Sequence, residues 1–227
     1  MRLSIGLIVL FAIAAMPGKS DTTDPLAAVF VHIDAAAKTF KGMTANISNT
    51  VHTALVDDND VSTGTMKLLR VKPGDTRVLV EPGNPGAGLT VALDGHTVNV
   101  YNPKTKIQDV YNLANKQSQV DQFLELGFGA TSDELKSNYA ITWVGEEKIG
   151  SQAASHVKLV PKSAATLQKL KQADLWFGTN GLVAQQKFLY PSGDYRLVTY
   201  SNMKVGAVPE KDLELKTPKG AVIQKHD

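Results

Sequence analysis

The chain has 227 residues, no cysteine, and 24 lysines and arginines against 22 aspartates and glutamates. That length lets one β-rich domain bury a sizeable core, and zero cysteines exclude a disulfide framework, a thiolate metal site and a lipid-modified N-terminal cysteine. If residues 1–20 are removed, Arg2 and Lys19 go and no acid does, leaving 22 basic against 22 acidic residues, a neutral balance unlike that of a nucleic-acid binder or of a protein held on anionic headgroups.

Those first twenty residues read as a secretory signal. Arg2 supplies the positive charge and Leu3 to Ala15 the apolar run, which is too short to span a bilayer; cleavage falls after Ser20 or near Ala14. With no anchor, the expected product is soluble and periplasmic.

Asp24 before Pro25 is a helix start, because the carboxylate can cap and the proline ring lacks an N–H that the first turn does not need. Leu26, Val29, Phe30, Ile33, Ala37 and Phe40 then recur at three and four residues, so an amphipathic helix is expected to end near Lys41-Gly42. From Thr44 the period changes to two. Strands are expected at 44–56, 63–72, 76–82, 88–93, 96–101 and 106–112, separated by turn-forming clusters such as Asp57-Asp58-Asn59-Asp60 and Asp94-Gly95.

Two helical pieces interrupt this meander. One runs from Gln117 to Gly127 with Val120, Phe123, Leu124 and Leu126 on its apolar side; the other opens at Thr131-Ser132-Asp133-Glu134, a capping-box spacing. Strands resume at 139–147, 152–160, 173–178, 182–190, 195–205 and 212–216, with a turn of helix possible within 162–172. Eleven or twelve antiparallel strands with two or three helices predict a mainly β (α+β) fold. A sheet of that width curls, and the helices' apolar stripes must be buried against its concave face, so an unclosed β-barrel with an α-helical lid is expected.

Catalytic signals are weak. His32, His52, His96, His156 and His226 are scattered without metal-ligand spacing, and Asp57-Asp58-Asn59-Asp60 lacks the glycine and distant glutamate of a calcium loop. Glu146 and Glu147 are neighbours on a strand and point to opposite faces, and Pro191-Ser192-Gly193-Asp194 has no strand-to-helix elbow. The expectation is a non-enzyme with neither cofactor nor metal.

The alternation itself is more informative. Met66 and Leu68, Val78 and Val80, Val98 and Val100, Ile141 and Trp143, Val157 and Leu159, and Leu182, Ala184, Phe188 and Tyr190 each share one strand face. An ordinary core explains most of them. A half-closed barrel with separate lid helices also leaves an interior that side chains need not fill, and such a cavity is an apolar ligand site. The expected lining is Phe30, Ile33, Phe40, Leu68, Val78, Val80, Val98, Val100, Trp143, Leu159, Phe188 and Tyr190, with Phe123, Leu124 and Leu126 from the lid.

Several segments carry a family resemblance: Phe40-Lys41-Gly42-Met43, Gly64 to Arg70, Asp94 to Pro103, Tyr200-Ser201-Asn202-Met203-Lys204 and Lys216 to Ala221. In combination the chain resembles the periplasmic carriers that sort outer-membrane lipoproteins. The resemblance implies a single carrier domain over residues 21–227, a hydrophobic cavity for the acyl chains of lipoproteins, and monomeric action between an inner-membrane release complex and an outer-membrane acceptor. Well-known members have an Arg-Pro pair whose arginine helps to hold the lid, where this chain has Lys72-Pro73; lysine keeps the charge without the planar fork. Two other readings stay open: a carrier or sensor of another apolar ligand such as a free lipid or glycolipid, and an assembly or structural protein whose barrel is filled.

Overall fold

A computed structural model describes residues 24–72, 75–84, 86–113 and 126–226. Helix α1 (Pro25–Thr39) starts as its sequence requires, with the Asp24 carboxylate accepting from Leu26 N at 3.0 Å. Its inward face presents Val29 and Ile33. A short α2 (Ser132–Asn138) is closed by the expected capping box, in which the Thr131 side chain accepts from Glu134 N while the Glu134 carboxylate accepts from Thr131 N. One further turn, α3 (Ala164–Leu167), falls within 162–172. Of the anticipated helix over 117–127, residues 117–125 lie outside the described residues.

Twelve strands form one mixed sheet: β1 (Gly42–Thr53), β2 (Asp58–Lys72), β3 (Asp75–Pro82), β4 (Thr90–Asp94), β5 (Thr97–Asn102), β6 (Ile107–Asn112), β7 (Tyr139–Ile149), β8 (Gln152–Pro161), β9 (Gln172–Gly178), β10 (Val183–Leu189), β11 (Tyr195–Val205) and β12 (Val222–His226). Their order is β12-β6-β5-β4-β3-β2-β1-β11-β10-β9-β8-β7. Two antiparallel meanders, β1 to β6 and β7 to β11, are therefore joined along the β1–β11 pair. The outermost strands β12 and β7 are not bonded to each other, so the curled sheet is an unclosed barrel.

Two details depart from the sequence reading. The last strand is β12, and it runs parallel to β6, so the sheet is mixed. The stretch 212–216 is not a strand. It follows a 3-10 turn at Glu210–Asp212, and Leu213 is buried on the convex face with Leu79, Ala92 and Val208, while Leu215 packs alongside. Its alternating leucines are satisfied by burial on a sheet face rather than by a partner strand, a choice that periodicity alone does not make.

The concave face carries the main core. Met43, Leu68, Leu159, Leu170, Leu175, Val157 and Val183 are almost fully enclosed, and α1 covers this region. At Gly181 (φ +74°) an added Cβ would lie 2.1 Å from His32 O. Only glycine lets the β9–β10 turn approach the α1 backbone so closely. A second tie is polar: Asp34 of α1 accepts from Ser132 N at 2.7 Å and from Ser132 Oγ at 2.8 Å, fastening α1 to the start of α2.

Candidate functional site

Away from α1, the same concave face is not filled. A cavity of about 560 Å³ opens between the β2–β5 wall and the β10–β11 wall. The first wall is aliphatic: Met66, Val78, Val80, Val91, Leu93 and Val98. The register explains this, because Met66, Val80 and Val91 stand in one cross-strand row, and Leu68, Val78, Leu93 and Val98 stand in the next. Ile47, Phe188, Tyr190 and Val198 continue the apolar surface on the other side.

Polar groups are few and graded by depth. Tyr200 and Gln186 are buried at the inner end, where Gln186 Nε2 donates to Tyr200 Oη at 2.8 Å. Burial pushes the Tyr200 phenol well above its ordinary value, so the hydroxyl stays neutral. Two and four residues earlier on the same face of β11 come Val198, still buried, and Arg196, exposed. Arg196 Nε donates to Asn49 Oδ1 at 2.6 Å. Lys169, from the segment between α3 and β9, also lines the cavity.

Five of the expected lining residues therefore meet around the void: Val78, Val80, Val98, Phe188 and Tyr190. Others belong to the packed part of the concave face. Ile33, Phe40, Leu68, Leu126 and Leu159 are buried there, with Phe30 and Trp143 packed against them; Lys136 Nζ sits 4.4 Å from the Phe30 ring centre. Val100 is half-buried on β5 between Val91 and Asp109 of the neighbouring strands. Phe123 and Leu124 lie outside the described residues.

Lys72 is exposed at the end of β2. The cation of that strand that reaches across is Arg70, whose Nη1 donates to Gly129 O at 2.7 Å. A Cβ at Gly129 (φ +98°) would come within 2.7 Å of that nitrogen, so the glycine makes room for the contact. The planar guanidinium suits a carbonyl acceptor. The polar lining residues Asn49, Lys169, Gln186, Arg196 and Tyr200 escape a search for apolar alternation. A usable signal was present: Arg196, Val198 and Tyr200 alternate, and Gln186 stands between Ala184 and Phe188 in one period-two row.

Elsewhere the described surface has a different character. A groove of about 630 Å³ on the convex face is edged by Lys67, Glu81, Lys211, Asp212, Glu214 and Lys216, with Lys67 Nζ and Glu81 Oε2 3.0 Å apart. The cluster of His156, Glu147, Asp174 and Trp176 lies on the face opposite Val157 and Leu175. His156 Nδ1 is 2.8 Å from Glu147 Oε1, and its Nε2 is 3.0 Å from Asp174 Oδ1. Among the described residues no group of three or more His, Asp or Glu is placed to hold a metal ion, and no helix is long and apolar enough to cross a membrane.

A curled, unclosed barrel with helices on part of its concave side and an apolar void on the rest of that face has the form of a container for a greasy ligand. Residues 38–213 match the family model described as outer membrane lipoprotein carrier protein LolA, and the chain belongs to that family. No curated protein matches the sequence. Among solved structures, an uncharacterized conserved protein from Thermus thermophilus is similar at 11% identity, covering 89% of this chain and 100% of that one with a TM-score of 0.55. MucB is similar at 17% identity and a TM-score of 0.51; the match covers 86% of this chain and 64% of MucB. A LolA superfamily protein from Nitrosomonas europaea is more loosely similar, at 13% identity and a TM-score of 0.39, covering 83% of this chain and 97% of that one. At these identities the likeness is one of fold.

Proposed function

We propose that the protein is a non-enzymatic periplasmic carrier that shields the acyl chains of a lipoprotein on its way to the outer membrane. The observation that supports this most directly is the aliphatic wall from Met66 to Val98, which faces a cavity of about 560 Å³. Family membership points the same way. Burying one chain of roughly fourteen methylenes at ~0.8 kcal/mol each gives about 11 kcal/mol before ordering costs, so such a cargo would leave for water slowly. Release then requires an acceptor with a better cavity or a partner that acts on the cover. In this reading residues 1–20 direct export and are removed, residues 21–227 act as one domain, and the carrier works as a monomer between a membrane complex that loads it and an acceptor that unloads it.

The lining proposed to touch acyl chains is Val78, Val80, Val98, Phe188 and Tyr190, together with Met66, Val91 and Val198. Arg70 replaces Lys72 as the proposed holder of the cover, because its guanidinium already bonds the Gly129 carbonyl.

The test is purification from the periplasm followed by native mass spectrometry. Bound acylated protein is the expected result. A free lipid in its place would favour a carrier of other apolar ligands. A protein that is empty and also extracts no lipoprotein from inner membranes would reject the proposal.

A further inference from the structure

We propose that the mouth of this cavity selects amphiphiles with an anionic head group, so that the preferred cargo pairs apolar chains with a phosphate or carboxylate. The inference rests on the carrier reading and adds a head-group class to it.

The ordering of residues along β11 carries the argument. Tyr200, Val198 and Arg196 share the concave face of one strand, and residues two apart on a strand are about 6.7 Å apart. The surface therefore passes from buried and apolar to exposed and cationic over about 13 Å, in the direction an inserted chain would emerge. Asn49, opposite Val198 on β1, accepts from Arg196 Nε at 2.6 Å. A neutral amide thus orients the guanidinium at the rim and leaves its charge in place. Lys169, from a separate segment, adds a second cation to the cavity lining.

No aspartate or glutamate is among the described lining residues. Asp194, two residues before Arg196, is about 6.7 Å along the chain, but its carboxylate accepts from Ala54 N at 2.8 Å and from Ser192 Oγ at 2.8 Å; Asp60, across β1 at Val51, is two strand spacings, roughly 9–10 Å, away. Among the described residues that line the cavity, the charged side chains, Arg196 and Lys169, are thus both cations, although the chain without residues 1–20 is neutral. A guanidinium held by one nitrogen is suited to oxyanions, and an anion leaving an apolar cavity would meet it before bulk water.

The experiment uses the full chain without residues 1–20 and a fluorescent acyl probe displaced by lipids with identical lauroyl chains. Phosphatidylglycerol should displace it about five- to twentyfold more effectively than phosphatidylcholine or diacylglycerol in low salt, and the ratio should approach one in 1 M salt, where screening acts within about 3 Å. Laurate identifies the source: ranking with phosphatidylglycerol supports selection for any anion, and ranking with the uncharged lipids while phosphatidylglycerol stays ahead supports selection for phosphate. The double variant Arg196→Gln, Lys169→Gln should bring the ratio to about one, and Arg196→Lys should keep it above one, with thermal unfolding confirming that each variant folds. Equal displacement by all head groups, or a preference that survives the double variant, overturns the proposal while leaving the carrier reading intact. Displacement by none of them removes both.

Discussion

One concave face holds two neighbouring regions that are built from the same residue types and end differently. Under α1, Val29, Ile33 and Phe40 are buried together with Met43, Leu68, Leu159 and Leu175. A few residues along the strands, Ile47, Met66, Val80, Val91, Val98 and Phe188 face one another across a void. Aliphatic side chains on a strand therefore do not by themselves make a core. What separates the two regions is the element laid on top: α1 is fastened by the Asp34–Ser132 bonds and by the close approach at Gly181, and no described helix is seated the same way over the β3–β5 wall.

The largest expected contrast comes from truncating one side chain in each region. Leu68→Ala should cost about 3 kcal/mol, because it opens a hole in close-packed surroundings. Val80→Ala should cost under about 1 kcal/mol, since its surroundings already include empty space and its side chain is only partly enclosed. Urea unfolding of both variants measures this, and equal losses would break the distinction between full and empty halves.

Next in size is Asp34→Ala. It removes the acceptor of two hydrogen bonds from Ser132 at the start of α2, and should lower stability by about 1–2 kcal/mol. Asp34→Asn should recover part of that. If neither variant changes the unfolding midpoint, the tie between the helices does not secure the filled half.

Filling the void tests the other side of the comparison. Val91→Trp should weaken binding of an acyl probe at least tenfold, about 1.4 kcal/mol, while changing stability by no more than about 1 kcal/mol. The reverse outcome, intact binding in a poorly folded protein, would mean that this wall belongs to the core.

The smallest effect concerns the opposite face of the filled half. The Trp176 indole N–H, and secondarily His156, hold the Glu147 carboxyl below the usual range. A carboxylate whose folded-state pKa is lowered adds stability that is fully present above its ordinary value near 4.3 and is lost as the pH falls through the lower, folded value. Glu147→Gln should therefore lower the melting temperature by about 1–2 °C at pH 7, and the difference should fade as the pH drops through the lowered, folded-state value. A difference that grows in acid would contradict the assignment.

Much of this arrangement was legible in the sequence. Asp24-Pro25 and the Thr131–Glu134 box mark real helix starts, and eleven of the twelve strands fall close to where period-two alternation puts them. These signals are local, set by caps, turns and adjacent side chains. The stretch around Leu213 misled because alternation reports burial on one side, and a strap lying on a sheet produces it as readily as a strand does. The division of the apolar residues was illegible for a related reason. Leu68 and Val80 look alike in sequence, and only the seating of α1 decides which one is enclosed. The place of Arg196 in the cavity is not legible locally, because it depends on β11 pairing with β1, a contact between residues 147 apart for Arg196 and Asn49.

That pairing has a consequence for how the molecule assembles. Every other contact between neighbouring strands, apart from β12 with β6, joins elements that follow one another in the chain. Each meander can form from nearby hairpins, so the slow event is the meeting of two half-sheets along a pairing that brings together residues as distant in the chain as Asn49 and Arg196. Loop closure grows only logarithmically with length, each doubling adding about 0.6 kcal/mol, but the search for one register must still precede its reward. Until β1 finds β11, the aliphatic walls of both halves face water, and the half-made container is at its stickiest just before it becomes able to hold anything.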